Sequence, residues 1–228
     1  MKLSLIRFFV LLCFIPVPVV IALAQAPIKT PADAQKKPIT KPSEVPANPA
    51  EPFDGAPLEK MVGQCVNLQT EVGAIVIEML PEAAPEAVRN FLNLAATGAL
   101  DSTTFSRVVK DFVIQGGNLS TGEKWTAELA KRASRRLPDE PSDVKHVRSI
   151  VSMARGDEPN SATTHFFILV GDGPHLDGKF AAFGRVIRGI EVADAINHAP
   201  AEGEKPVTPV RIKRALVAPC PQAADGRQ

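Results

Sequence analysis

An arginine and a glutamine, Arg107 and Gln115, stand in otherwise apolar, strand-like runs of FSRVVKDFVIQGG (residues 105–117). A polar side chain buried without a partner costs free energy, so two of them so close in the chain imply a shared use. The hairpin loop decides whether they meet. A two-residue loop would pair Arg107 with Ile114. A three-residue loop of Lys110, Asp111 and Phe112 sets Arg107 directly opposite Gln115, on one face with Val109 and Val113, because side chains alternate along a strand. The second register explains both polar residues together and places Phe112 at the tip, free to lean over the same face.

Other residues with chemical potential do not form a site of their own. The histidines His146, His165, His175 and His198 show no i,i+4 pair and no neighbouring cysteine or acidic cluster, so no metal centre is expected. Past the N-terminal segment the cysteines are Cys65 and Cys220, too few for structural zinc and not a CxxC redox pair. They lie near the two ends of the folded region and are expected to form a disulfide between the first and last strands.

The elements around these residues can be read from periodicity. CVNLQTEVGAIVIEML (65–80) reads as two strands around a tight turn at 71–73. From Pro85 the spacing becomes helical through Val88, Phe91, Leu92 and Ala95, and Gly98 closes the helix. Strands are expected at 105–109, 113–115, 149–154, 166–170, 180–187 and 210–217, a second helix at 190–196, and a short basic helix in an insertion at 125–134. Eight strands and two helices predict a mainly β fold, a closed eight-stranded antiparallel barrel capped by two helices.

The chain opens with Lys2 and Arg7, an apolar stretch and Ala22-Leu23-Ala24, the layout of a secretory signal peptide ending at residue 24. An uncleaved membrane anchor is the alternative; the apolar run is short for a span and Pro16 and Pro18 interrupt it. Residues 25–61 are rich in proline, alanine and lysine and read as a disordered spacer. The folded domain is expected at 62–218 and a tail at 219–228. With 26 basic and 25 acidic residues, nothing in the charge points to nucleic acid or an anionic membrane as partner. The expectation is an exported monomer, periplasmic or secreted.

SIVSMARGDEPNSATTHFFILVGDGPHLDGKFAAFGRVIRGIEVADAI (149–196) adds further motifs. With residues 105–117 it resembles the cyclophilins, of the bacterial exported type. Their signatures are F-x-R-x-x-x-x-F-x-x-Q-G-G, S-M-A, P-N, S-Q-F-F-I, W-L-D-G-K-H and F-G-x-V, and the likeness runs over about residues 66–217. The resemblance implies a peptidyl-prolyl cis–trans isomerase that assists protein folding, acts on proline-containing polypeptides and needs no cofactor. By position, Arg107 is the catalytic arginine and Gln115 contacts substrate backbone. Phe112, Val113, Phe167 and Leu176 form the proline pocket, and Ala154 and Arg155 its edge.

The sequence departs from the family pattern at several positions. His165 replaces glutamine, His175 a frequent tryptophan, Phe180 a frequent histidine, Arg155 an asparagine and Val113 a methionine. His165 is expected to hydrogen-bond substrate backbone when neutral, so that activity falls with pH through its titration. His175 implies poor inhibition by cyclosporin, and Phe180 is expected to line the far side of the pocket. Residues 119–146 replace a glycine-rich loop and carry Lys131, Arg132, Arg135 and Arg136, either a solvated helix face or a client-recruiting patch. A peptide-binding chaperone or adaptor with little turnover is the competing function; an intact Arg107 and Gln115 favour the enzyme.

Overall fold

The computed structural model describes residues 50–221; the expected signal peptide and most of the proline-rich spacer lie outside them. Alternating burial shapes the first hairpin, β1 (Gln64–Thr70) and β2 (Ala74–Met79), whose Val66, Leu68, Ile75 and Ile77 are fully buried. Two short strands follow, β3 (Arg107–Val109) and β4 (Val113–Gly116), then β5 (Ile150–Met153), β6 (Phe166–Leu169), β7 (Ala182–Arg188) and finally β10 (Ile212–Pro219). These eight run antiparallel in one sheet, in the order β10-β1-β2-β7-β5-β6-β4-β3. Two further strands, β8 (Ala201–Glu202) and β9 (Lys205–Pro206), form a separate small ribbon that sequence reasoning did not anticipate.

The sheet is curled but open, which corrects the closed barrel expected. No strand ladder joins the edge strands β3 and β10. Beside them a single bridge, Thr104–Arg211, is flanked by hydrogen bonds from Phe105 N–H to Val210 O (2.9 Å) and Ile212 N–H to Thr103 O (2.7 Å). The physical reason lies in β3. Its Val108 N–H donates instead to the Glu204 carbonyl in the β8–β9 turn (2.8 Å), so the ribbon occupies the edge that closure would need.

The two expected capping helices are α2 (Pro85–Ala96) and α4 (Ile190–Asn197); α3 (Ala127–Ala133) is the short helix expected in the insertion, and α1 (Leu58–Met61) is an addition. α2 inserts Phe91 between Phe166 (5.0 Å between ring centroids) and Phe183 (4.9 Å), uniting helix and sheet in one core. Among the described residues no helix is long and apolar enough to cross a membrane.

Two boundaries move. The spacer expected to run to residue 61 ends earlier: Phe53, Ala56 and Met61 are buried against the domain. β10 continues to Pro219, so the expected tail at 219–228 gives up its first residues to the fold. The insertion helix is also not simply a solvated basic face. Arg132 is buried, its Nε donating to Glu51 (2.6 Å), and Arg135 pairs with Glu51 and Asp54 (3.3 and 3.6 Å). Two of the four basic residues are therefore spent clamping the N-terminal segment. A disulfide joins Cys65 in β1 to Cys220 just past β10, with Cα atoms 4.8 Å apart.

Candidate active site

The β3–β4 hairpin has the three-residue loop, and Arg107 faces Gln115, Val108 Ile114, and Val109 Val113. Asp111 takes a left-handed conformation (φ 57°) to complete the loop. Asn197, at the end of α4 and buried, holds the loop shut. Its carboxamide oxygen accepts from Asp111 N–H (2.8 Å), and its Nδ2 donates to the carbonyls of Val109 (2.8 Å) and Val113 (3.0 Å). The other side leaves no room for a side chain: a Cβ on Gly171 would lie 2.3 Å from the Asp111 carbonyl oxygen. The second glycine of QGG is similarly constrained. Gly117 has φ 82°, and a Cβ there would lie 2.2 Å from Thr164 O.

This hairpin, β6 and the segments after β5 and before β7 enclose a cavity of about 180 Å³. It is lined by Arg107, Phe112, Val113, Gln115, Ala154, Arg155, Phe167, Leu176 and Phe180. All nine were singled out from sequence. His165 and His175, expected with them, do not line it. His175 stacks on Phe112 (centroids 5.4 Å apart), one ring removed from the cavity. His165 is half-buried, its carbonyl accepting from Ala154 N–H (2.9 Å), and loss of hydration holds its imidazole below the usual histidine pKa. That N–H of Ala154 is thus engaged within the fold.

The wall is apolar and mutually packed. Val113, Phe167, Leu169, Leu176 and Ala182 form a small core of their own, with Val109, Phe112 and Phe180 against it. Phe180 meets Phe167 edge to face (5.9 Å, 78°), and the Arg155 guanidinium lies 5.1 Å over the Phe180 ring. The two departures at 155 and 180 therefore compensate one another. Arg155 also donates to the carbonyls of Lys179 (3.3 Å) and Gly156 (3.0 Å), which ties down the rim.

Beneath the wall, His146 bridges Asp177 Oδ1 (3.2 Å from Nδ1) and the Ser152 hydroxyl (3.0 Å from Nε2). All three elements of a serine–histidine–acid relay are present, but Ser152 is fully buried and cannot reach a substrate. Desolvation lowers the His146 pKa despite Asp177, so the imidazole is neutral and structural. His198 pairs with Asp111 on the surface (2.9 Å), which accounts for the last of the four histidines.

Arg107 carries the polar side of the cavity. Its Nη1 donates to Gln115 Oε1 (3.1 Å), while Nε and Nη2 grip the Glu204 carboxylate (2.7 and 3.1 Å). The arginine is thus paired with an acid and still lines the cavity. Glu204 was missed entirely. It lies 97 residues from Arg107 in a turn with no strand signal, so nothing local announces it.

A larger groove of about 790 Å³ is lined by residues including Glu51, Leu119, Glu128 and Arg214 and shares none with this cavity. It lacks the convergence of one directed cation with a packed apolar wall. The smaller cavity is the chemically competent one.

Comparison with known proteins shows the family. The family model for cyclophilin-type peptidyl-prolyl cis-trans isomerases matches residues 65–217, most of the described chain. The chain belongs to the cyclophilins. A cyclophilin of Dictyostelium discoideum, the peptidyl-prolyl cis-trans isomerase cypE, is 39% identical over 157 residues, covering 68% of this chain and 98% of that protein. An Arabidopsis thaliana relative, the isomerase CYP23, is 38% identical over 141 residues, and the match spans 61% of this chain and 62% of that protein. Among solved structures, a Cryptosporidium parvum cyclophilin crystallised in the presence of the dipeptide Ala-Pro shares 30% identity and a TM-score of 0.60. That match covers 68% of this chain and 98% of the other. The cyclophilin AquaCyp293 of Hirschia baltica, at 22% identity and a TM-score of 0.53, shares the fold. As a cyclophilin, this chain catalyses rotation about Xaa–Pro bonds.

Proposed function

We propose that Arg107 is the catalytic residue and that the apolar wall seats the proline ring. Peptide rotation has a barrier of about 18–20 kcal/mol because the nitrogen lone pair is delocalised into the carbonyl. For Xaa–Pro the isomers are close in energy, yet exchange takes tens of seconds or longer. No covalent bond has to break. The enzyme needs only to bind the twisted amide better than either planar form. In the twisted state the prolyl nitrogen becomes a hydrogen-bond acceptor, and a guanidinium aimed at it gains an interaction absent from the ground state. Each tenfold in rate corresponds to about 1.4 kcal/mol, and one charge-assisted hydrogen bond contributes roughly 1.5–3 kcal/mol. Arg107 therefore accounts for one to two powers of ten. Orientation by the wall and by Gln115 supplies the remainder.

The observation that carries this reading is the position of the Arg107 guanidinium at a 180 Å³ cavity otherwise lined mainly by Phe112, Val113, Phe167, Leu176 and Phe180. That volume is below the roughly 300–1,000 Å³ of small-molecule sites and suits a single small ring. A protease-coupled peptide assay of Arg107→Ala against wild type is the test. Equal rates overturn the reading of Arg107.

The chain is further proposed to be a bacterial, exported, monomeric folding assistant whose clients are unfolded or loop-exposed proline-containing segments, in the periplasm or outside the cell. The basic-then-apolar N-terminus and the Cys65–Cys220 disulfide support an oxidising destination. Cell fractionation with intact-mass analysis tests it: a full-length chain carrying residues 1–24 in the cytosol would sink the export reading.

A further inference from the structure

We infer that Glu204 is a positioning residue for the isomerisation: it fixes the Arg107 guanidinium so that a defined N–H points into the cavity. The inference rests on the proposed role of Arg107.

The contact is built from two sides. The Glu204 main-chain carbonyl accepts from Val108 N–H (2.8 Å), one residue from Arg107 in the same strand. Its side-chain oxygens then accept from Arg107 Nε (2.7 Å) and Nη2 (3.1 Å), a two-point fork matching the planar guanidinium. Gln115 takes one Nη1 hydrogen at 3.1 Å. The plane is thus pinned by hydrogen bonds from all three of its nitrogens. One N–H on Nη1 and one on Nη2 remain without a partner among the described residues, available to an acceptor in the cavity. The ribbon is carried up to Arg107 by the turn at Gly203, whose φ of 60° suits glycine.

Two effects of Glu204 oppose each other. Its charge offsets that of Arg107 and weakens the field in the cavity. Its fork removes the rotational freedom of a side chain that is 43% exposed and otherwise free to swing into solvent. The second effect wins for this reaction. The prolyl nitrogen gains a lone pair but no net charge as the amide twists, so direction matters more than total charge. A carboxylate that fixes direction at the expense of net charge therefore favours turnover.

The test is a kinetic series by exchange NMR or coupled assay on the full chain: wild type, Glu204→Ala, Arg107→Ala, the double variant, and Glu202→Ala. Glu204→Ala is expected to lower kcat about tenfold, the scale of freeing one immobilised side chain, with KM within about twofold. Adding Glu204→Ala to Arg107→Ala should cost nothing further, because the carboxylate acts only through the guanidinium. Glu202, exposed in the same ribbon and without a side-chain hydrogen bond among the described residues, should behave as wild type. Melting temperatures should be unchanged in both glutamate variants. A normal or raised kcat in Glu204→Ala, or a full additional loss in the double variant, overturns the inference. If Arg107→Ala itself retains the wild-type rate, the reading of Arg107 falls and this inference with it. If Arg107→Ala is impaired while Glu204→Ala is normal, this inference alone fails.

Discussion

The two sides of the cavity are held in place by different physics. The apolar wall, Val113, Phe167, Leu176 and their neighbours, is fixed by packing among its own side chains. The polar side, Arg107 on the three-residue β3 and Gln115 on the four-residue β4, depends on distant groups: Glu204 on a ribbon and Asn197 at a helix end. The wall would exist in the fold without any catalytic demand. The polar side exists only because residues about 90 positions away reach back to it. Binding and turnover should therefore come apart on mutation.

The largest effect should come from the wall. Phe167→Ala removes a buried ring and should lower stability by about 3–5 kcal/mol in urea unfolding, with a raised KM for proline peptides. A loss below about 1 kcal/mol would mean the ring is not a packed part of the fold. Arg107→Ala should give the opposite pattern, with kcat/KM down about 10–100-fold and little change in unfolding midpoint, since the side chain is partly exposed. If it unfolds the protein as readily as Phe167→Ala does, the two sides are not separable.

Asn197→Ala lies between the two. It leaves Asp111 N–H and the Val109 and Val113 carbonyls without their side-chain partner, so about 1–3 kcal/mol of stability should be lost. Activity should fall alongside, because the loop carries Phe112. Retained activity with lost stability would show that the cavity tolerates a loose hairpin.

The smallest effect is that of pH. Desolvation depresses the imidazole pKa of both His146 and His165 in the folded state. Above the unfolded value of about 6.5 both states are neutral and stability is full. As pH falls from there toward the folded values, the unfolded chain takes up protons that the folded one refuses, and stability declines. Melting temperature should therefore drop on acidification below about 6.5. Catalysis should stay level through pH 6.5, because His165 does not line the cavity and its burial disfavours the charged form. A rate loss centred at or above 6.5 would return His165 to the site.

The same division explains what was legible in the sequence. The Arg107–Gln115 register was legible because side chains alternate along a strand and only the three-residue loop sets both polar residues on one face. Of the apolar wall, alternation and the loop placed only Val113 and Phe112 on that face; Phe167, Leu176 and Phe180 came from the family likeness. His165 and His175 were misplaced by one layer: position along the chain located them beside the cavity, but not the direction of the ring. Glu204 and Asn197 were invisible. A carboxylate in a glycine turn and an asparagine ending a helix are ordinary surface signals, and only tertiary approach gives them a task. The closed barrel failed on the same ground, since a ribbon no pattern announced had taken the edge of β3.

The disulfide between the first and last strands of the sheet turns residues 65–220 into a covalent ring. Both chain ends hang from one clasp. A protease that nicks any connection inside that loop, including the exposed β8–β9 turn that carries Glu204, would leave the pieces tethered and able to re-dock. Cleavage outside it would shed only what precedes or follows the clasp.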